Sequence, residues 1–180
     1  MMNLVDYVID LTNKYMNQMS KDIRKKKGQF FTGKETALFM ASLFDFHPTK
    51  EEVSILDPGA GSGILTAAFI QTLISKTNVQ RINITCYETD QDVLGLLHNN
   101  LKWMKDNSKV KISYKVIEDN YIVSQSFEYN GLIGANLDPI KYDYVISNPP
   151  YKKIGKSSGE ASSMPDICYG SPNLYFLFMQ

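Results

Sequence analysis

Val53-Ser54-Ile55-Leu56-Asp57-Pro58-Gly59-Ala60-Gly61-Ser62-Gly63 is the stretch that decides the fold of this chain. Val53 to Leu56 form a short apolar run that reads as a buried strand, and Asp57-Pro58 ends it in a turn carrying glycine at 59, 61 and 63. Beyond the turn, Leu65, Ala68, Phe69 and Leu73 fall on one face of a helix expected over 63–76. Strand, glycine turn and helix in this order open a unit of a doubly wound sheet. The glycines let the backbone pass close to a ligand, and the first amides of the helix favour a carboxylate or phosphate. The spacing narrows the choice. A dinucleotide fingerprint needs glycine at its first, third and sixth positions, and Ile64 stands at the sixth, which disfavours a nicotinamide enzyme. A plain tight turn without a ligand is the alternative.

Outward from this unit the alternation continues. Runs rich in Ile, Val and Tyr at 82–87, 111–117 and 142–147 read as strands, and Val93, Leu94, Leu97, Leu101 and Met104 mark a helix over 90–105. Strands alternating with helices predict an α/β fold with a parallel sheet covered on both faces. Upstream, Leu4, Val8, Leu11, Tyr15 and Met19 recur at helical spacing. A charged run from Lys21 to Lys27 ends at Gly28, and Ala37, Leu38, Met40, Ala41 and Phe44 mark a second helix ending before Pro48. Residues 1–50 thus read as a helical segment ahead of a sheet domain over 51–180. Gly, Ser and Pro dominate 152–172, which predicts a mobile loop of the kind that serves as a lid. Asn173 to Gln180 reads as the start of an apolar helix with no strand after it, so the chain is expected to be a fragment whose fourth strand leaves an open edge.

Composition excludes several classes. Of the 180 residues 43% are apolar, enough for a real core. Nineteen basic residues balance nineteen acidic ones, so no global positive field draws in nucleic acid, and a polynucleotide partner would need a local patch or a further domain. Cys86, Cys168 and the two histidines lack ligand spacing, so no metal is expected. No apolar run approaches the ~18 residues of a membrane span. Asp6 and Asp10 stand where a signal peptide would be apolar, and a cytoplasmic location is expected.

The second stretch that carries chemistry is Ser147-Asn148-Pro149-Pro150-Tyr151, at the end of the expected fourth strand. The amine of adenine is a poor nucleophile because its lone pair is delocalised into the ring. The Asn148 side-chain oxygen and the Pro149 carbonyl offer two acceptors for its N–H groups, favouring the pyramidal geometry of the transition state. The prolines restrict φ and so direct that carbonyl, and Tyr151 offers a ring on which a base can stack. Glycine turn first and Asn-Pro-Pro-Tyr later suggest an S-adenosylmethionine-dependent methyltransferase acting on an amino nitrogen. Methionine's carboxylate is a smaller anion than a pyrophosphate, and Asp57 at the strand end can accept from an ammonium group. At the second strand end Glu88 can accept from a ribose diol or stand as a solvated charge, while Asp90 suits a helix cap. After the third strand, Asp119 can accept from the adenine amine of a cofactor and the Asn120 amide can donate to the ring; a loop acid or helix cap fits equally.

Together these residues resemble the N6-adenine DNA methyltransferases of restriction-modification systems, in the gamma-type order with cofactor motifs ahead of the catalytic motif. The resemblance runs from about Lys25 onward. It implies a Rossmann-like class I methyltransferase fold, here a truncated parallel sheet preceded by N-terminal helices, with S-adenosylmethionine as cofactor and double-stranded DNA with a flipped adenine as substrate. Gly28-Gln29-Phe30-Phe31-Thr32 looks like the leading motif, which implies that Thr32 touches the methionine carboxylate, although Thr32-Gly33-Lys34-Glu35 also fits a capping box. By the same resemblance Asp57, Gly59 and Gly61 serve the methionine moiety, Glu88 the ribose, Asp119 and Asn120 the cofactor's adenine, and Asn148, Pro149, Pro150 and Tyr151 the target base. Asn173-Leu174-Tyr175 and Phe178 resemble the following motif, which lines the adenine pocket. Lys152, Lys153 and Lys156 are expected to meet phosphates. Later strands, a second aromatic wall and a target recognition domain are expected from a missing C-terminal region or a partner chain. The competing readings are a methyltransferase for a protein glutamine amide or an RNA base, and a catalytically incompetent cofactor-binding module.

Overall fold

A computed structural model of the chain describes residues 3–18, 31–129, 141–168, 170 and 172–179. Strands β1 (Glu52–Asp57), β2 (Arg81–Tyr87), β3 (Lys111–Ile117) and β4 (Tyr144–Val145) form one parallel sheet in the order β3-β2-β1-β4. The chain steps from β1 to β3 in one direction and then returns to lay β4 on the other side of β1. That reversal opens a crevice beyond the carboxyl ends of β1 and β4, where such sheets hold their ligands.

Register assigns the two faces. Val53, Ile82 and Ile112 form one row and Ile55 and Ile84 lie in the next, all of them buried. Against this face pack α1 (Leu4–Gln18), α2 (Lys34–Ser42), α3 (Ile64–Lys76) and α4 (Gln91–Asn107), and they share a single core with it. Helix α3 is buried almost all round because it lies against α1 and α2 as well as the sheet. Its Phe69 is fully buried, worth about 1.5–3 kcal/mol of hydrophobic stabilisation, and meets Phe44, Phe46 and Tyr144 at edge or tilted angles. Tyr7 stacks on Trp103 at 3.7 Å between ring centroids and ties α1 to α4. Coverage of the other face differs from the expectation. Its described strand residues include Ser54, Asn83 and Ser113; the Ser113 hydroxyl donates to Asn83, Asn83 and Arg81 donate to Glu52, and the Ser54 hydroxyl donates to Asp143, so much of that face is polar.

The element boundaries bring corrections. The buried stripe of α1 runs through Leu4, Val5, Val8 and the polar Thr12; Met19 lies outside the described residues, as do Gly28, Gln29 and Phe30. The fourth strand, expected over 142–147, is only Tyr144–Val145, paired with Ile55 and Leu56. Before it, the Asp143 carboxylate accepts from the Ser54 amide and hydroxyl and takes over the role of the ladder. Beyond it, the Ile146 amide still donates to Leu56, but Pro149 and Pro150 have no N–H to continue. A helix that the sequence pattern did not suggest, α5 (Tyr121–Tyr129), follows β3.

Residues 152–172 are also more structured than a lid-like loop. Lys153 and Asn173 form an antiparallel bridge, and the segment between them contains α6 (Gly159–Ser163) and a single 3-10 turn at Pro165–Ile167. Helix α7 (Leu174–Phe178) follows. Ile122, Met164 and Leu177 form a second small core with Ile154, Ile167 and Phe178 around it, which seats the excursion on α5. Among the described residues no helix is long and apolar enough to cross a membrane.

Candidate functional site

The carboxyl end of β1 delivers Asp57 into the interior. The residue is fully buried, its Oδ2 accepts from the Thr66 hydroxyl at 2.7 Å, and its Oδ1 is buried with no hydrogen-bond partner. Burial pushes the carboxyl up to about 7, the Thr66 hydroxyl opposes this, and the negative charge of Glu88 adds to it. Burial likewise pushes the neighbouring Cys86 thiol well above its ordinary value.

Beyond Asp57 the chain makes the expected turn. Gly61 and Gly63 have φ of +54° and +82°, a region open to glycine, and a Cβ on Gly63 would stand 3.1 Å from the Leu97 side chain. The turn is fastened from three sides. The Ala60 amide donates to the Tyr87 carbonyl at 2.9 Å. The Gly61 amide donates to Glu88 Oε2 at 2.8 Å. From α4, Asn100 Nδ2 donates to the Ser62 carbonyl at 2.8 Å in a fully buried position.

The crevice above this turn holds about 50 Å³, small against the roughly 300–1,000 Å³ of small-molecule sites, and opens to solvent. Its floor is Gly59 to Ser62 and its walls include Phe31, Thr32 and Asn148. Asn148 Nδ2 donates to Thr32 Oγ1 at 3.2 Å, so the segment before α2 and the end of β4 meet over the crevice. The N-cap of α2 is Gly33 with no side-chain cap bond, so of the two readings of Thr32 the capping box is not the one formed. The donor set suits an amino-acid-bearing nucleoside cofactor. The Ala60, Gly61 and Gly63 amides are engaged within the fold, but the glycines admit a ligand close to the backbone; Asp57 Oδ1, fully buried and outside the crevice lining, is an acceptor without a donor, and Phe31, Ile64 and Leu65 supply apolar wall.

The other expected residues divide. Glu88 lies beside the turn, but its carboxylate is already engaged: Oε1 accepts from the Thr89 and Asp90 amides and Oε2 from Gly61, each at 2.8 Å. A carboxylate offers roughly four acceptor positions, so about one remains for a ribose hydroxyl. Asp90 caps α4 through the Asp92 amide. Asp119 is exposed after β3, and neither it nor Asn120 lines the crevice. The Asn120 side chain accepts from the Val123 amide at the start of α5 and donates to Glu160 at 2.9 Å. Pro149 is buried, Pro150 is exposed, and Tyr151 is 76% exposed. Phe178 brings its ring within 3.6 Å of where a Gly59 Cβ would be and stacks on Tyr121, so α7 does reach the glycine turn. Sequence reasoning missed Phe31 as a wall and Asn100 as a buttress. Asn100 sits in register with the core positions Val93, Leu97 and Met104 of α4, a polar residue in an apolar stripe, and that was its signal.

The reversal of strand order, the glycine turn after β1 and the Asn-Pro-Pro-Tyr segment after β4 define a class I S-adenosylmethionine-dependent methyltransferase fold. Two solved structures share it. A protein described as a type I restriction-enzyme modification subunit from Vibrio vulnificus superposes with a TM-score of 0.66 at 20% identity, over 93% of this chain and 33% of that one. A protein described as a class I S-adenosylmethionine-dependent methyltransferase from Listeria monocytogenes gives 0.50 at 19% identity, over 87% and 45%. The chain belongs to the N-6 DNA methylase family, whose pattern matches residues 5–165. It is 32% identical over 179 residues to the type II methyltransferase M.PstI of Providencia stuartii, covering 98% of this chain and 33% of that protein. The chain spans about a third of the length of the curated relatives it matches first.

Proposed function

We propose that this chain is the cofactor-binding and catalytic part of an enzyme that methylates the N6 amine of adenine in double-stranded DNA, using S-adenosylmethionine, as the modification activity of a restriction-modification system in the cytoplasm. The family and the type II methyltransferase relatives support this reading. The observation that carries it is the Asn148 to Thr32 hydrogen bond across the crevice, which joins the catalytic strand end to the leading segment directly above the glycine turn.

Held by its amide nitrogen, Asn148 keeps its side-chain oxygen for one N–H of a flipped adenine, and the Pro149 carbonyl takes the other. Fixing both N–H groups favours pyramidal nitrogen and returns the lone pair from the ring, which stabilises the transition state more than the ground state. S-adenosylmethionine, when bound, supplies an electrophilic methyl group whose bond to sulfur breaks as the bond to N6 forms, leaving a thioether. The surplus proton of the amine passes to solvent through the open side of the crevice. Glu88 orders the turn and offers its remaining acceptor position to the ribose, and Thr32, Gly59 and Gly61 surround the methionine end. The relatives are about three times as long, so target recognition is assigned to a further polypeptide segment or a partner chain that also helps extrude the base.

Asn148→Ala tests the assignment. Methyl transfer to unmethylated DNA, in the protein with its recognition component, should fall at least about 100-fold, with S-adenosylmethionine affinity within a few-fold of wild type. Unchanged transfer, or loss of cofactor binding alone, contradicts it.

A further inference from the structure

Tyr151 is not an isolated exposed ring. The Lys152 amide donates back to the Pro150 carbonyl at 2.9 Å, a three-residue turn with Tyr151 at its centre. Past that turn the chain leaves on its excursion and returns beside its own start: the Leu174 amide donates to Lys152 and the Ile154 amide to Pro172, both at 2.9 Å. Asn173 Oδ1 then accepts from the Tyr175 amide at 3.1 Å and begins α7. The outcome is that the Tyr175 ring lies on the Tyr151 ring, with centroids 5.2 Å apart and planes 15° from parallel. Phe176 meets the Tyr175 ring edge-on, with centroids 5.7 Å apart.

The separation decides what this pair can do. Each stacked layer needs about 3.5 Å of van der Waals distance, so a base between two rings needs about 7 Å. No base enters between rings 5.2 Å apart. Tyr151 nonetheless keeps 76% of its surface exposed with Tyr175 behind it, so its other face is open. We propose that Tyr175 is a positioning residue for base capture, a back wall that holds the Tyr151 ring in the orientation in which its free face receives the extruded adenine. A lone exposed tyrosine would lose side-chain rotamer freedom on stacking a base, whereas this one is already ordered by its neighbour. The residues between 152 and 173 thereby gain a purpose, because their bridge and their small core on α5 set where Tyr175 returns. The inference rests on reading Asn148 to Tyr151 as the adenine site.

The test uses a single-stranded oligodeoxynucleotide of adenines with one 2-aminopurine, whose bases need no extrusion and no recognition sequence. Stacking on a tyrosine quenches its fluorescence. The chain is titrated into it as wild type, Tyr175→Phe, Tyr175→Leu, Tyr175→Ala and Tyr151→Ala, and each variant is also titrated with S-adenosylhomocysteine to establish that the crevice is intact. The expected result is saturable quenching by wild type and Tyr175→Phe, about tenfold weaker quenching by Tyr175→Leu and Tyr175→Ala, and none by Tyr151→Ala, all with unchanged nucleoside affinity. Wild-type quenching by Tyr175→Leu and Tyr175→Ala, with loss only in Tyr151→Ala, overturns the positioning role and leaves the adenine site standing. Quenching that survives Tyr151→Ala, or is absent in the wild type, overturns both.

Discussion

Asp57→Asn should abolish a pH dependence of stability that the wild-type chain carries between pH 5 and 8. The Asp57 carboxyl is raised by burial from 3.8 to about 7 in the folded chain. Between those values the folded state holds a proton that the unfolded state has released, so stability falls as pH rises through the window. At about 1.4 kcal/mol per pH unit, raising the pH from 5 to 8 withdraws roughly 3 kcal/mol through this one group. Asparagine keeps an oxygen for the Thr66 hydroxyl and places an N–H group where the protonated acid would hold its own hydrogen. The variant should therefore match the wild type within about 1 kcal/mol at pH 5 and exceed it by about 2 kcal/mol at pH 8. Urea unfolding at pH 5, 6, 7 and 8 reads the difference, and other titrating groups cancel between the two proteins. In parallel, the affinity of wild type for S-adenosylmethionine should rise through pH 7 as Asp57 ionises to meet the ligand's ammonium, while the variant binds more weakly at pH 8. Stability curves that run parallel for the two proteins would refute the reasoning, because a carboxyl with an ordinary acidity cannot produce their divergence.

Three further outcomes follow from the same geometry. Gly63→Ala forces an L side chain to φ +82° and 3.1 Å from Leu97, and should lower stability by about 1–3 kcal/mol in urea unfolding; a change under about 0.5 kcal/mol would mean the turn relaxes freely. Glu88→Ala leaves the amides of Gly61, Thr89 and Asp90 without their acceptor. It should weaken S-adenosylmethionine binding at least about tenfold and lower the melting temperature, and an unaltered titration would remove Glu88 from the site. Lys152, Lys153 and Lys156 are all exposed on the chain leaving Tyr151, so their joint replacement by alanine should weaken DNA binding and reduce the salt slope by up to about 3; a slope equal to wild type would take these lysines off the DNA.

The sequence disclosed the parts of this fold that rest on local pattern. The Val53 to Leu56 run, the glycines behind it and the stripe of α4 each carry their own periodicity or turn chemistry, and β1, the turn, α3 and α4 lie within a residue or two of expectation. What depends on distant partners was not legible. The run 142–147 has the composition of a full strand, yet its pairing with β1 is limited by Asp143 hooking Ser54 at one end and by two prolines at the other. The excursion over 152–172 looked like a loop because its apolar residues, Ile154, Met164 and Ile167, follow no period and find partners only on α5 and α7. The site shows the same division. Thr32, Gly59, Gly61 and Asn148 come together in one crevice. Asp119 and Asn120, placed by the resemblance and by their position after β3, do not line it, and the Asn120 side chain caps α5 and holds Glu160.

The measurement that bears most directly on this account is a calorimetric titration of the chain with S-adenosylmethionine, with NAD as the control ligand. Saturable one-to-one binding of S-adenosylmethionine and none of NAD is the predicted result, since Ile64 stands where a dinucleotide turn needs glycine. Binding of NAD, or no binding of S-adenosylmethionine to a chain shown to be folded, would contradict the assignment of the glycine turn and, with it, the methyltransferase reading of the crevice.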